Sequence, residues 1–137
     1  MRQEVFESFA GFDDFLVYLG VSLVLLAVFV AIYIRVTPYR EMVLIREGNM
    51  AASFSLSGAL LGFIVPLASA VTHSVNLVDM VIWGVIAMLV QIAAFVAVKL
   101  LIPSITRDIP EGKGAQGFFL GSISLGVGLL NAACMSF

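Results

Sequence analysis

Cysteine is almost missing from this sequence. Cys134 stands alone in 137 residues, so no internal disulfide and no cysteine-based metal cluster can form, and a small apolar packing role is expected for it. Histidine is equally scarce. His73 has only Asn76 and Asp79 near it in sequence, and one imidazole does not make a metal site. Charge is the third shortage: charged residues make up 12% of the chain against 61% hydrophobic, and a net charge of -2 without a basic domain argues against nucleic-acid binding. Serines such as Ser57 and Ser69 have no partner base, which removes the usual route to hydrolase chemistry. The expectation is a protein that is not an enzyme and that takes no cofactor or metal ion.

What the chain has in abundance is uninterrupted apolar sequence. Runs free of Asp, Glu, Lys and Arg cover 15–34, 48–78, 80–98 and 114–137, each of at least 19 residues. A bilayer core needs about 20 helical residues to cross it, so each run is long enough to span. Four such runs in succession leave almost no polar surface to face water, which excludes a soluble core. The predicted fold is an all-α membrane protein of four transmembrane helices, a single integral membrane domain over 1–137. Six of the seven basic residues lie in two loops: Arg35, Arg40 and Arg46 after the first span, and Lys99, Arg107 and Lys113 after the third. The positive-inside rule makes those loops cytoplasmic and both termini external. A basic stop-transfer loop follows the first span where a signal peptide would show a small-residue cleavage site, so the span is expected to stay.

The same hairpin is written twice, at a displacement of 64 positions. Ile45, Glu47 and Gly48 align with Ile109, Glu111 and Gly112, and the register continues through Phe54/Phe118, Leu61/Leu125, Gly62/Gly126 and Ala68/Ala132. Upstream it holds at Arg35/Lys99, Gly20/Gly84 and Leu25/Leu89. The reading is two tandem two-helix repeats, 13–77 and 78–137, entering the membrane in the same orientation about a parallel pseudo-twofold axis. Surfaces that pack one repeat on the other can also pack protomers, so a homo-oligomer is expected.

Small residues separate the even spans from the odd ones. Ala51, Ser55, Gly58 and Gly62 alternate spacings of four and three along one face of span two, and Gly117, Gly121, Ser124 and Gly128 do so in span four. In lipid such stripes let helix backbones approach closely, which places these helices at the centre. Span one is expected to begin near Phe15, after a stretch with Phe6, Phe9 and Phe12 that either forms an amphipathic turn or frays, and to set Tyr18 and Tyr33 at the two interfaces. Thr37-Pro38 reads as the cap and first turn of a short interfacial helix, with Arg40 and Arg46 facing anionic headgroups of the bilayer. The second loop, with Pro103 and Pro110, should be less regular.

Few side chains are left to carry a site. Glu47 and Glu111 are repeat-related carboxylates at the entrances of spans two and four, placed either to recruit cations or to interact with helix N-termini. Gln91 and Asn131 are the polar side chains at membrane depth, suited to an interhelical hydrogen bond or to a wet path. Pro66 should free a backbone carbonyl in span two. The string from Gly112 to Gly117 matches a dinucleotide fingerprint in letters only, since no strand precedes it and no βαβ unit fits.

The strings Thr37-Pro38-Tyr39, Ile45 to Ala52 (IREGNMAA), Gly58 to Ser69 (GALLGFIVPLAS), Asp79 to Gly84 (DMVIWG) and Gly128 to Met135 (GLLNAACM) together resemble the bacterial YjfL-like inner-membrane proteins, a family of unknown function. The resemblance implies a bacterial inner-membrane location and supplies no catalytic residues; it also brings an association with envelope stress, polyamines and ion-channel-like neighbours. Pro110 in place of Arg46 makes the two halves inequivalent. Two functions follow: a non-enzymatic oligomeric scaffold or envelope-stress component with cytoplasmic or membrane protein partners, or a small cation channel or transport subunit lined by spans two and four.

Overall fold

A computed structural model describes residues 2–135. Six helices follow in order: α1 (Arg2–Val36), α2 (Glu41–Arg46), α3 (Met50–His73), α4 (Leu77–Leu101), α5 (Ile105–Asp108) and α6 (Gly114–Cys134). Helices α1, α3, α4 and α6 are long and apolar enough to cross a membrane. Running up and down in turn, they place the short helices α2 and α5 at one end of the bundle.

Helix α1 does not begin near Phe15. It runs unbroken from Arg2, because the stretch before Phe15 holds no proline and only the isolated Gly11, which a helix tolerates. At 1.5 Å per residue its length is about 52 Å, well beyond a hydrocarbon core of about 30 Å. The helix binds the bundle through one stripe, Leu25, Phe29 and Tyr33, spaced by four. Phe29 stacks on Phe63 of α3 at 4.5 Å between ring centres, and Tyr33 meets Phe95 of α4 edge-on at 5.8 Å. Tyr33, three residues before the end of α1, shares a face with Phe29 and is fully buried. Most of the remaining α1 surface is exposed.

The closest packing joins α3 to α6. Ala51, Ser55, Gly58 and Gly62 on α3 and Gly117, Gly121, Ser124 and Gly128 on α6 are all buried. A methyl group added at Gly58 would run into the Gly121 backbone, at Gly117 into Ala51, and at Gly128 into Gly62. The two backbones therefore touch along the membrane-spanning length, with no space between them for a pore inside one chain. Helix α4 closes the third side through Gly84, Ala87, Met88, Gln91 and Phe95. Cys134 lies exposed on the last turn of α6, outside the core in which packing was expected.

Helix α2 starts later than its sequence suggests. Thr37 and Pro38 form a bend that ends α1, because the residue before proline is driven away from helical angles, and the first helical residue is Glu41. The second loop, expected to be irregular, contains the single turn α5.

Candidate functional site

Each loop ends in the same backbone turn. Gly48 and Gly112 adopt φ of 85° and 78°, the left-handed region that a side chain would strain. Asn49 N–H then donates to Leu44 O at 2.9 Å and Lys113 N–H to Asp108 O at 3.1 Å, closing both turns alike. Asn49 has two further tasks. Its Oδ1 accepts from Ala52 N–H at 2.9 Å and caps α3, while its Nδ2 donates to Ile109 O at 2.9 Å and ties the first turn to the second. Glu47 and Glu111 stand exposed in these joined turns, three residues before α3 and α6. Glu111 pairs with Lys113 at 3.6 Å.

Gln91 and Asn131 do not come together. Gln91 is fully buried at the meeting of three helices, where its Nε2 donates to Gly62 O of α3 and to Ser124 O of α6, both at 2.9 Å. Pro66 has no N–H to offer Gly62, so the carbonyl it frees is taken by Gln91 and does not face a cavity. Asn131 lies half-buried about 10 Å further along α6 by the rise per residue. Near it Ser69 of α3 donates to Ala132 O at 3.4 Å and, against the expectation that it has no base beside it, lies 3.3 Å from His73 Nδ1. Arg40, just before α2, and Arg46, its last residue, are both exposed. Met42 and Val43 are exposed between them, whereas Leu44 and Ile45 turn toward the core.

Two carboxyl groups near this end escaped the sequence reading. Glu41 is 1% exposed: Thr37 donates its hydroxyl to Oε1, and Oε2 is buried without a partner. Burial pushes its carboxyl up to about 7, against the opposing pull of the Thr37 hydrogen bond. The phenol of Tyr39, also buried, is pushed up by burial and then by the charge of Glu41, with Ser55 opposing. Asp108 is built the same way from its own loop: Ser104 donates to Oδ2 at 2.9 Å, and Lys113 approaches Oδ1 at 3.3 Å. Its burial raises the carboxyl, but Ser104, Lys113 and Arg107 together outweigh that and hold it below the usual carboxylate range. The available signal was a shared string, Thr37-x-x-Arg40-Glu41 and Ser104-x-x-Arg107-Asp108, displaced by 67 positions where the hairpin register is 64.

The family model described as Domain of Unknown Function (DUF350) matches residues 6–135. The chain is similar to the UPF0719 inner membrane protein YjfL of Escherichia coli (strain K12), with 37% identity over 132 residues, 96% of this chain and 98% of that protein. It is also similar to the UPF0719 transmembrane protein YshE of Bacillus subtilis (strain 168), with 26% identity over 118 residues, 85% of this chain and 88% of that protein. No solved structure matches.

Proposed function

The chain belongs to the DUF350 family, and from that premise we propose that it is a non-enzymatic, homo-oligomeric scaffold of the bacterial inner membrane. The observation that carries this reading is a pair of glycines left open. Gly62 packs against Ser124 and Gln91, and Gly84 packs against Leu25 with a methyl position only 3.0 Å away. Their counterparts 64 positions away, Gly126 and Gly20, have nothing within 4 Å. A helical glycine costs about 1 kcal/mol relative to alanine, and inside this chain neither open glycine gains close packing in return. In a duplicated protein, the contact of Gly62 on α3 with α4 at Gln91 is equivalent to Gly126 on α6 meeting α1 at Ala27. Helix α1 of a second copy supplies that surface, so copies join head to tail, α6 to α1. The basic loops face the cytoplasm and the termini the outer side, leaving α2 and the joined turns to meet headgroups or protein partners. Counting subunits in nanodiscs tests the reading: a homo-oligomer is expected, and a monomer at every lipid ratio would sink it.

The second reading is a cation path with Glu47 and Glu111 at its mouth, supported by their exposure at the same end of the bundle. Because α3 and α6 touch, that path runs between copies and not through one. Cation flux in proteoliposomes that is lost in the Glu47→Gln, Glu111→Gln double variant would promote it.

A further inference from the structure

The two loops hold their buried carboxyl groups differently. In the second, Lys113 supplies a cation to Asp108. In the first, the corresponding position is Asn49, whose side chain is committed to Ala52 and Ile109, and among the described residues no Lys, Arg or His pairs with Glu41. Two buried oxygens on this side have no partner, Glu41 Oε2 and the Tyr33 hydroxyl of α1, and the buried Tyr39 hydroxyl of the segment before α2 has only Ser55 beside it. The Tyr39 phenol, outside the span, is raised further by the charge of Glu41. Of the other elements, α3 contributes Ser55 beside Tyr39, and α4 contributes Phe95 against Tyr33. Arg40 is exposed, but it borders a cavity of about 290 Å³ that Thr37, Tyr39 and Glu41 also line.

We propose that Glu41 is a buried proton-binding site. Its Oε2 takes a proton from water entering the adjoining cavity, and the neutral carboxyl then offers that proton as a hydrogen bond to a phenol oxygen of Tyr33 or Tyr39. An isolated carboxylate at this depth is costly, whereas a carboxylic acid among hydroxyl groups is satisfied. Burial, which pushes the carboxyl up to about 7, brings the exchange toward the physiological range. The proton is released on deprotonation to the same cavity, so the site reads the pH on the side of the membrane that α2 occupies. Proton binding at Glu41 requires neither oligomer formation nor conduction.

The test is infrared difference spectroscopy of the purified full-length chain in nanodiscs, with carbon-13-labelled glutamate, titrated from about pH 5 to about pH 9. The expected result is a buried protonated-carboxyl band that disappears with a midpoint near 7, is lost in Glu41→Gln, and moves to higher pH in Thr37→Val, which removes the donor favouring the charged form. The Thr37→Val shift keeps the test usable if Glu41→Gln fails to fold. Absence of the band across the whole range would overturn the proposal, as would its persistence in a folded Glu41→Gln protein. A midpoint that falls as sodium or potassium replaces choline would assign the site to a metal cation and also overturn it.

Discussion

The Gln91 amide donates at 2.9 Å to the Gly62 carbonyl, which Pro66 deprives of its helical partner. One polar side chain thereby closes the gap that a proline opens one helix away, and a second bond to Ser124 O draws α6 into the same junction. Replacing Gln91 with Leu leaves a buried carbonyl unsatisfied, at a cost of about 1–3 kcal/mol. Restoring the backbone donor with Pro66→Ala should reduce that cost. Thermal unfolding of the two single variants and the double variant in detergent measures the coupling, and strict additivity would mean that the two residues act separately.

The seam between α3 and α6 makes glycine substitutions diverge by position. Gly58→Ala or Gly128→Ala puts a methyl group into opposing backbone and should destabilise by about 1–3 kcal/mol or more. Gly126→Ala meets open space inside the chain, so the folded monomer should lose nothing and gain up to about 1 kcal/mol of helix propensity. The same substitution should weaken oligomer formation. Thermal stability and subunit counting on the same samples separate the two effects.

Asn49 can be divided by substitution. Asn49→Ala removes both the α3 cap and the tie to Ile109 O and should cost about 0.5–2 kcal/mol from the cap alone. Asn49→Asp keeps a capping oxygen and loses the Nδ2 donor, so it should retain most of the stability while hydrogen exchange rises in the α5–α6 turn. Equal losses in both variants would mean that the cap contributes nothing.

The buried carboxyl of Glu41 predicts a direction for pH. Below its ordinary value of 4.5 it is protonated whether folded or not. Between there and about 7 the folded chain keeps a proton that the unfolded chain has lost, so stability falls as pH rises across that window and stays lower above it. The change is on the order of 3 kcal/mol by the free energy per pKa unit. Asp108, held below the usual range, acts in the opposite sense, stabilising at neutral pH and losing that contribution under acid conditions. Thermal unfolding at a series of pH values should show the fall in the wild type and a flat profile in Glu41→Gln above pH 5.

The spans and the helix-facing residues were legible because lipid imposes simple requirements: length, absence of charge, and small residues where backbones meet. Gln91 was recognisable as an interhelical donor on the same logic, though its acceptor depended on how Pro66 in α3 faced α4. Glu41 was not legible. Its loop carries three basic residues and reads as surface, and an alignment fixed at 64 pairs Glu41 with Ile105, hiding its likeness to Asp108. The burial of Tyr33 was not legible either, since it follows from the stripe that Tyr33 shares with Leu25 and Phe29. The continuity of α1 before Phe15 also went unseen, because amphipathic turns and helical extensions share the same spacing.

Head-to-tail assembly is tested most directly by crosslinking in native membranes. Two differently tagged copies, one with Ala27→Cys and one with Gly126→Cys, each in a Cys134→Ser background, are co-expressed and oxidised. The α6-to-α1 contact predicts a disulfide joining the two tags, stronger than that of a pair placed at Ile82 and Gly126. Two inserted, folded copies that fail to join, or that join no better than the Ile82 pair, would contradict it.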